Sequence, residues 1–150
     1  MSKLEALTTL PTMVLLKFIE NFRFDKRKDG WGLEEDVVTL ATLRLDSLLR
    51  EGESSLAGYT IRERDKEDAE EKGVCAGQLQ AEWMLEHQDK IPVEWRSFYL
   101  VFTGTVWCSP GGNPYVSYMF WGSGEWHLRW VSFGRRDRYD DNFCLVRLGK

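Results

Sequence analysis

The residues best suited to covalent chemistry in this sequence are three cysteines and two histidines. Cys75, Cys108 and Cys144 are widely spaced and odd in number, and no pair has the short spacing of a zinc knuckle or a redox motif. Neither His87 nor His127 neighbours a cysteine in sequence. A nucleophile and its base can be distant in sequence, so a Cys/His pair stays open as an alternative. We expect reduced thiols, no disulfide framework and no enzymatic activity.

Oxygen-bearing side chains cluster near the end of the chain, at Asp137, Asp140, Asp141 and Asn142. A calcium-binding EF-hand loop needs a central glycine and a terminal glutamate, and this cluster has neither. The loop at 111–114, "GGNP", is followed by no Lys-Ser/Thr pair and is not a phosphate-binding loop. The sequence therefore predicts a surface loop, with no metal and no cofactor.

Arginines and aromatic rings are interleaved in the last third of the chain, a composition that suits single-stranded nucleic acid. The residues concerned are Arg129, Arg135, Arg136, Arg138, Tyr118, Phe120 and Tyr139. The formal net charge is −4, with −7 in residues 1–94 and +3 in residues 95–150. Because the local excess of positive charge is small, nucleic-acid binding is the alternative and is not the favoured function.

A protein-binding or ligand-binding face fits the same residues better. In "EWHLRWVSF", Trp126, Leu128 and Trp130 alternate with Glu125, His127 and Arg129. Strand side chains alternate between the two faces of a sheet, so this pattern predicts one buried face and one presented face. Rigid aromatics and arginines, set among small polar residues, are the composition of binding hot spots and of antibody-like paratopes.

The front of the chain favours helices. Apolar residues at an approximate 3.6-residue spacing predict helices over 3–23, 34–50 and 76–87. A short strand is predicted around Tyr59 to Arg62, and the charge-dense segment 65–73 reads as a solvated helix or loop. The N-terminal segment lacks the features of a signal peptide, and no segment is apolar for long enough to span a membrane.

From Val93 onward the sequence becomes rich in aromatic and β-branched residues, which predicts strands. We predict strands in "SFYLVFTGTVW", "YVSYMFW", "EWHLRWVSF" and "FCLVRL", with the middle two joined through "GSG" as a hairpin. One domain is expected over 1–150, with a helical front half (about 1–92) and a β-rich back half (about 93–150).

The series "VFTGTVW", "PYVSYMFW", "GEWHLRWVSF" and "DDNFCLVRL" resembles the variable proteins of diversity-generating retroelements. In particular, it looks like the small forms found in archaeal viruses, nanoarchaea and minimal-genome bacteria. The resemblance implies a C-type lectin-like α+β fold, with two or three helices packed on a small twisted antiparallel sheet with long ordered loops. It also implies a receptor-like ligand binder, in which an error-prone reverse transcriptase rewrites solvent-facing codons while the scaffold is kept.

The resemblance assigns residues to scaffold or to variable surface. The scaffold set is Gly104, Trp107, Trp121, Trp126, Leu145, Val146 and Arg147. The variable, ligand-binding set in the strands and hairpin is Ser117, Phe120, Gly122, Ser123, His127, Arg129 and Ser132. In the last loop the set is Gly134, Arg136, Arg138, Tyr139, Asp140 and Asp141.

Related folds suggest further expectations. Calcium-dependent lectins carry Glu/Gln-Pro-Asn and Trp-Asn-Asp motifs, and the chain has at most a loose likeness to the first at "GGNPY", so no calcium is expected. Formylglycine-generating enzymes also end in a phrase like "LVRL" but need a copper site built on cysteines, which stays a third alternative. The expected partner is a protein or other macromolecule bound through the C-terminal face. Location is expected to be intracellular, or at a virion or cell surface through another protein.

Overall fold

The computed structural model describes residues 9–15, 22–35 and 40–148, which form a mixed α+β fold as the sequence predicts. The strands are β1 (Thr9–Leu15), β2 (Gly32–Glu35), β3 (Leu40–Ser47), β4 (Leu56–Ala57), β5 (Tyr99–Cys108), β6 (Pro114–Gly122), β7 (Glu125–Ser132), β8 (Arg138–Tyr139) and β9 (Phe143–Leu148). The helices are α1 (Gly58–Lys72) and α2 (Gln78–Glu86), with short 3₁₀ helices at Lys26–Asp29, Gln88–Lys90 and Val93–Ser97.

The main sheet has seven strands in the order β1-β3-β9-β5-β6-β7, with β2 paired to the far end of β5. All pairs are antiparallel except β5 and β9, which run parallel. The closing strand β9 therefore lies inside the sheet, between strands from the front and the back of the chain. A second, two-stranded sheet pairs β4 with β8.

One face of the main sheet is buried against α2. Phe102, Trp126 and Leu128 are at most 5% exposed and belong to the same core cluster as Leu79 and Met84 of α2. Burying a large apolar side chain contributes about 1.5 to 3 kcal/mol, so this layer is the main source of stability. The predicted alternation in "EWHLRWVSF" is confirmed, because the tryptophans and Leu128 face this core.

The opposite face of the sheet is covered in part by α1. Ile61 of α1 packs in one cluster with Val101, Val116 and Leu145, all of which are buried. Tyr99, two residues before Val101 on the same face of β5, is 43% exposed. The helix therefore leaves one end of this face open.

A buried glutamine ties the α2 layer together. The side-chain oxygen of Gln78 accepts hydrogen bonds from the indole nitrogens of Trp107 and Trp130, at 2.9 and 2.8 Å. Its amide nitrogen donates to the Phe24 carbonyl and to Glu82. Two tryptophans from different strands and an N-terminal loop are thus held by one side chain.

A buried charged network holds α1 on the other face. Arg147 of β9 bonds Asp46 at 2.7 Å and the Gly73 carbonyl at 2.8 Å, and its guanidinium lies 3.5 Å from Asp65 of α1. Thr103 of β5 donates to the second oxygen of Asp65 at 2.7 Å. Burial raises the pKa of Asp65 to about 6. The Asp65 carboxylate therefore docks the helix on two strands, β5 and β9, and Arg147 links this contact to Asp46 of β3.

The helix predicted over 34–50 is wrong where the structure describes it. Residues 34–35 end β2 and residues 40–47 form β3, while 36–39 lie outside the described residues. Apolar and charged residues also alternate along this segment, as they do in a strand, in addition to the helical spacing of its apolar residues. Leu43 and Leu45 face the α2 core, and Arg44 and Asp46 face the other way. Pairing with β9, distant in sequence, decides in favour of the strand.

The helix predicted over 3–23 is also wrong in its described part, because residues 9–15 form β1 on the edge of the sheet. Residues 1–8 and 16–21 lie outside the described residues. The front half is therefore not simply helical.

The strand predicted around Tyr59 to Arg62 is wrong as well, since those residues open α1. Strand pairing stops at Ala57, one residue before α1 begins, and the Gly58 amide donates to the Asp137 carbonyl at 2.9 Å. The charge-dense segment 65–73 lies in α1 up to Lys72, which is the helical form of its prediction. The predictions for α2, β5, β6, β7 and β9 are confirmed.

Candidate ligand-binding face

The open end of the sheet carries a group of rings that we call the aromatic face. It consists of Tyr99, Tyr118, Phe120, His127, Arg129 and Phe143. Tyr99 and Arg129 are exposed and the other four are half-buried. These residues lie on four adjacent strands, β9, β5, β6 and β7, on the side opposite α2. Strand spacing gives the face a width of about 14 Å.

The rings of the aromatic face contact one another in a continuous series. Phe120 stacks on His127 with centroids 5.0 Å apart and on Tyr118 at 5.8 Å. Tyr99 lies 6.3 Å from Phe120 and stacks on Phe143 at 4.9 Å. Each such pair contributes about 0.5 to 1.5 kcal/mol beyond its buried area. The rings are therefore held in place before any ligand arrives.

The β6–β7 hairpin sets which residues share the face. Ser123 and Gly124 form a two-residue turn with φ of 53° and 81°, the positive values that a type I′ turn requires. This turn fixes the register that places Phe120 opposite His127 and Tyr118 opposite Arg129. Nε2 of His127 lies 2.9 Å from the Gly122 carbonyl oxygen, so Gly122 and Ser123 close the end of the face.

A cleft of about 350 Å³ adjoins the aromatic face. Tyr99 and Phe120 line one part of it, and Arg96, Trp121 and Asn142 line the rest. The Arg96 guanidinium lies 3.6 Å from the centroid of the Trp121 ring. The cleft thus adds a cation and an amide to the rings, which suits a ligand group with both apolar and polar atoms.

A second concavity, which we call the arginine groove, lies between the start of α1 and the loop after β7. It has a volume of about 500 Å³ and is lined by Tyr59, Asn113, Pro114, Ser132, Gly134, Arg135, Arg136 and Asp137. Three predicted binding residues, Ser132, Gly134 and Arg136, come together here. The structure therefore divides part of the predicted set between this groove and the aromatic face.

The remaining loop residues predicted for binding lie apart from both concavities. Arg138 is exposed and its guanidinium bonds the Ser55 hydroxyl and carbonyl at 2.9 and 3.1 Å. Asp140 accepts hydrogen bonds from Asn142 and shapes the turn before β9, where Asp141 is exposed. These three residues line neither the groove nor the cleft.

Two predicted surface residues are buried, and their assignment to a solvent-facing set is wrong. Ser117 is 0% exposed because it shares the face of Met119, which packs in the α2 core. Tyr139 is 3% exposed, packs between Phe133 and Phe143, and donates its hydroxyl to the Ser132 carbonyl. The sequence predicted a loop at Tyr139 and therefore gave no sign that this residue is buried. In the structure β8 pairs with β4, and this pairing turns the Tyr139 side chain inward.

The structure adds residues that the sequence did not place in the variable, ligand-binding set: Tyr59, Arg96, Tyr99, Tyr118, Arg135 and Phe143. Tyr118 could have been found, because it has the same strand parity as Phe120 in "YVSYMFW". Tyr99 and Phe143 carry no such signal. They meet only because β5 and β9 pair in parallel with Tyr99 opposite Phe143.

None of the three cysteines lines the cleft or the arginine groove. Cys75, Cys108 and Cys144 form no disulfide among the described residues, and burial raises the pKa of the Cys75 thiol far above its usual range, which disfavours the thiolate. Nδ1 of His87 lies 2.8 Å from the Trp83 carbonyl. Within residues 9–15, 22–35 and 40–148, no three His, Cys, Asp or Glu side chains converge as a metal site.

No protein-family model, curated protein or solved structure matches this chain. None of the described helices is long and apolar enough to cross a membrane. The aromatic face and the arginine groove are therefore the features that bear on function. Both consist of residues from the back half of the chain, apart from Tyr59 of α1 in the groove.

Proposed function

We propose that the chain is a receptor-like, ligand-binding variable protein of the diversity-generating retroelement type, with a C-type lectin-like fold. The observation that carries the proposal is the division of β6 and β7 by side-chain parity. Met119, Trp126 and Leu128 form buried frame, and Phe120 and His127 alternate with them on the open face. Residues at the open end of that face can change without altering what fills the α2 core.

The fold is compatible with this proposal. Two helices lie on opposite faces of a mostly antiparallel sheet, and "CLVRL" forms its closing strand inside the sheet. Five of the seven scaffold residues expected from the resemblance support it too, since Trp107, Trp126, Leu145, Val146 and Arg147 are at most 2% exposed, whereas Gly104 and Trp121 are half-buried.

The ligand we propose is a macromolecule. The aromatic face is open and about 14 Å wide, which suits a protein surface better than a small molecule that needs enclosure. Rigid rings supply contact area at low entropic cost, and Arg96 and Arg129 supply polar contacts at the edge.

The nucleic-acid alternative is weakened by the same geometry. Its stacking ring Tyr139 is buried, and Arg138 is bonded to Ser55. A salt titration against single-stranded DNA tests it, since phosphate binding weakens steeply with salt.

Two libraries test the proposal. One randomises Phe120, His127 and Arg129, and the matched control library randomises the neighbouring frame residues Met119, Trp126 and Leu128. We expect most members of the first to stay protease-resistant and to yield binders against a chosen protein, and few members of the second to fold. Equal loss of folding in the two libraries would mean that the face is scaffold.

The surrounding nucleotide sequence gives an independent test. We expect a near-duplicate of the 3′ end of the gene that differs mainly at adenines, beside a reverse-transcriptase gene. The absence of this near-duplicate would contradict the assignment to a diversity-generating retroelement and would leave only the proposal of a ligand-binding face.

A further inference from the structure

The arginine groove has walls that are fixed by hydrogen bonds before any ligand binds. The amides of Gly58 and Tyr59 donate to the carbonyls of Asp137 and Gly134, at 2.9 and 3.2 Å. Oδ2 of Asp137 accepts from the Ser132 hydroxyl and the Gly134 amide, each at 2.8 Å. A preorganised loop loses little conformational entropy when a ligand binds.

The backbone at the head of the groove is also closely packed. A Cβ atom on Gly58 would lie 2.6 Å from the Phe133 carbonyl carbon, so α1 and the loop after β7 touch without a side chain between them. This contact keeps Arg135 and Arg136 on the outer side of the loop, where both are exposed.

The groove presents two cations beside an aromatic wall. The Arg135 guanidinium lies 5.0 Å from the centroid of the Tyr59 ring, and Tyr59 is 41% exposed. Among the described residues, Arg136 has no hydrogen-bond or ion-pair partner. A free guanidinium binds carboxylates in a bidentate manner, and the Tyr59 ring with Pro114 offers apolar contact next to it.

The charge in the groove favours one or two carboxylates over a polyanion. Asp137 lines the same concavity and offsets one of the two arginines. A nucleic-acid strand needs a track of cations along its phosphates, which this groove and a chain of net charge −4 do not provide.

We infer that the arginine groove binds an acidic peptide segment of a protein ligand. An Asp or Glu side chain pairs with Arg136, and a neighbouring apolar or aromatic residue lies against Tyr59 and Pro114. This inference rests on the proposed function, because it names what one part of the variable surface recognises.

Selection from a library of random dodecapeptides displayed on phage tests the inference on the full chain. We expect enriched peptides that carry Asp or Glu next to an apolar residue. A synthetic copy of an enriched peptide should bind at least about tenfold more tightly than its Asn/Gln twin, as expected for loss of a charge-assisted pair.

Variants locate the site. R135Q/R136Q should lose at least about tenfold in affinity for the synthetic peptide. R23Q/R50Q removes the same charge from exposed arginines elsewhere and should bind the peptide like the wild type. An equal loss of peptide affinity in the two double variants would mean that only the net charge of the protein matters, and it would overturn the inference.

The remaining outcomes separate this inference from the proposed function. Two outcomes would place recognition on the aromatic face and overturn only the inference about the groove. One is enrichment of peptides without acidic residues. The other is binding that is lost in F120A/R129A and kept in R135Q/R136Q. Competition by oligo-dT with a steep salt dependence would assign the groove to nucleic acid instead. Failure to enrich any peptide would overturn the inference and leave the library test of the aromatic face to decide the proposed function.

Discussion

At the scale of single residues, a buried polar side chain joins several parts of the fold. Gln78 is 0% exposed, and its amide bonds two indoles, a carbonyl and a carboxylate. A buried polar group that is fully bonded specifies a single packing arrangement, whereas an unpaired one costs about 1 to 3 kcal/mol. Gln78 therefore sets how β5, β7 and α2 fit together.

We expect Gln78→Leu to lower the free energy of unfolding by about 3 to 4 kcal/mol, because it leaves buried donors unpaired. Urea unfolding monitored by tryptophan fluorescence measures the change. Trp107→Phe in the wild-type and Gln78→Leu backgrounds completes a double-mutant cycle, and we expect a coupling energy of about 1 kcal/mol. Strict additivity of the two changes would show that the Gln78–Trp107 bond contributes nothing.

At the scale of elements, α1 is positioned by its contact with the loop after β7 and by the network around Arg147. The N-terminal contact depends on Gly58, where a side chain has no room. The central contact depends on Asp65, a carboxylate that is buried with Thr103 and Arg147. Each contact gives a separate prediction.

Gly58→Ala should lower the free energy of unfolding by about 2 kcal/mol, because the added Cβ overlaps the Phe133 backbone and forces a shift. Gly32→Ala is the matched control, since its Cβ meets no atom within 4 Å. Thermal unfolding of the two variants gives the comparison. A Gly58→Ala protein as stable as Gly32→Ala would mean that the loop yields without cost.

Asp65 should make the stability depend on pH. Its pKa is raised from 3.8 to about 6, so between these values the folded protein holds a proton that the unfolded chain has lost. The stability of the wild type relative to Asp65→Asn should therefore fall as pH rises from about 4 to 6, by about 3 kcal/mol, and stay level above. Urea unfolding of both proteins across this range measures the difference. A relative gain with rising pH would mean that attraction to Arg147 outweighs burial.

At the scale of the whole molecule, the front and back of the chain share one sheet. β3 and β9 are paired, and the Arg147–Asp46 bond joins residues 101 positions apart. The aromatic face includes Phe143 of β9, which pairs with β3 and β5, and the arginine groove includes Tyr59 of α1.

We expect the chain to unfold as a single cooperative unit. Thermal unfolding by near-ultraviolet circular dichroism and by tryptophan fluorescence should give the same midpoint, with equal calorimetric and van't Hoff enthalpies. Five of the seven tryptophans lie after residue 94, so fluorescence mainly reports the back half. Two separated transitions would contradict the single domain.

Sequence by itself determined four strands of the back half. Aromatic and β-branched runs predicted β5, β6, β7 and β9, and the alternation around Trp126 identified the buried and presented faces of β7. These signals are local, because strand parity and the Ser123–Gly124 turn act between residues that are close in the chain.

Only the tertiary structure decided the rest. β3 has both helical and alternating spacing, and its pairing with β9 chose between them. Tyr139 became core because β8 pairs with β4, and Tyr99 joined the aromatic face because β5 pairs with β9. In each case the deciding contact joins segments far apart in sequence, and its energy exceeds the local preference of the segment.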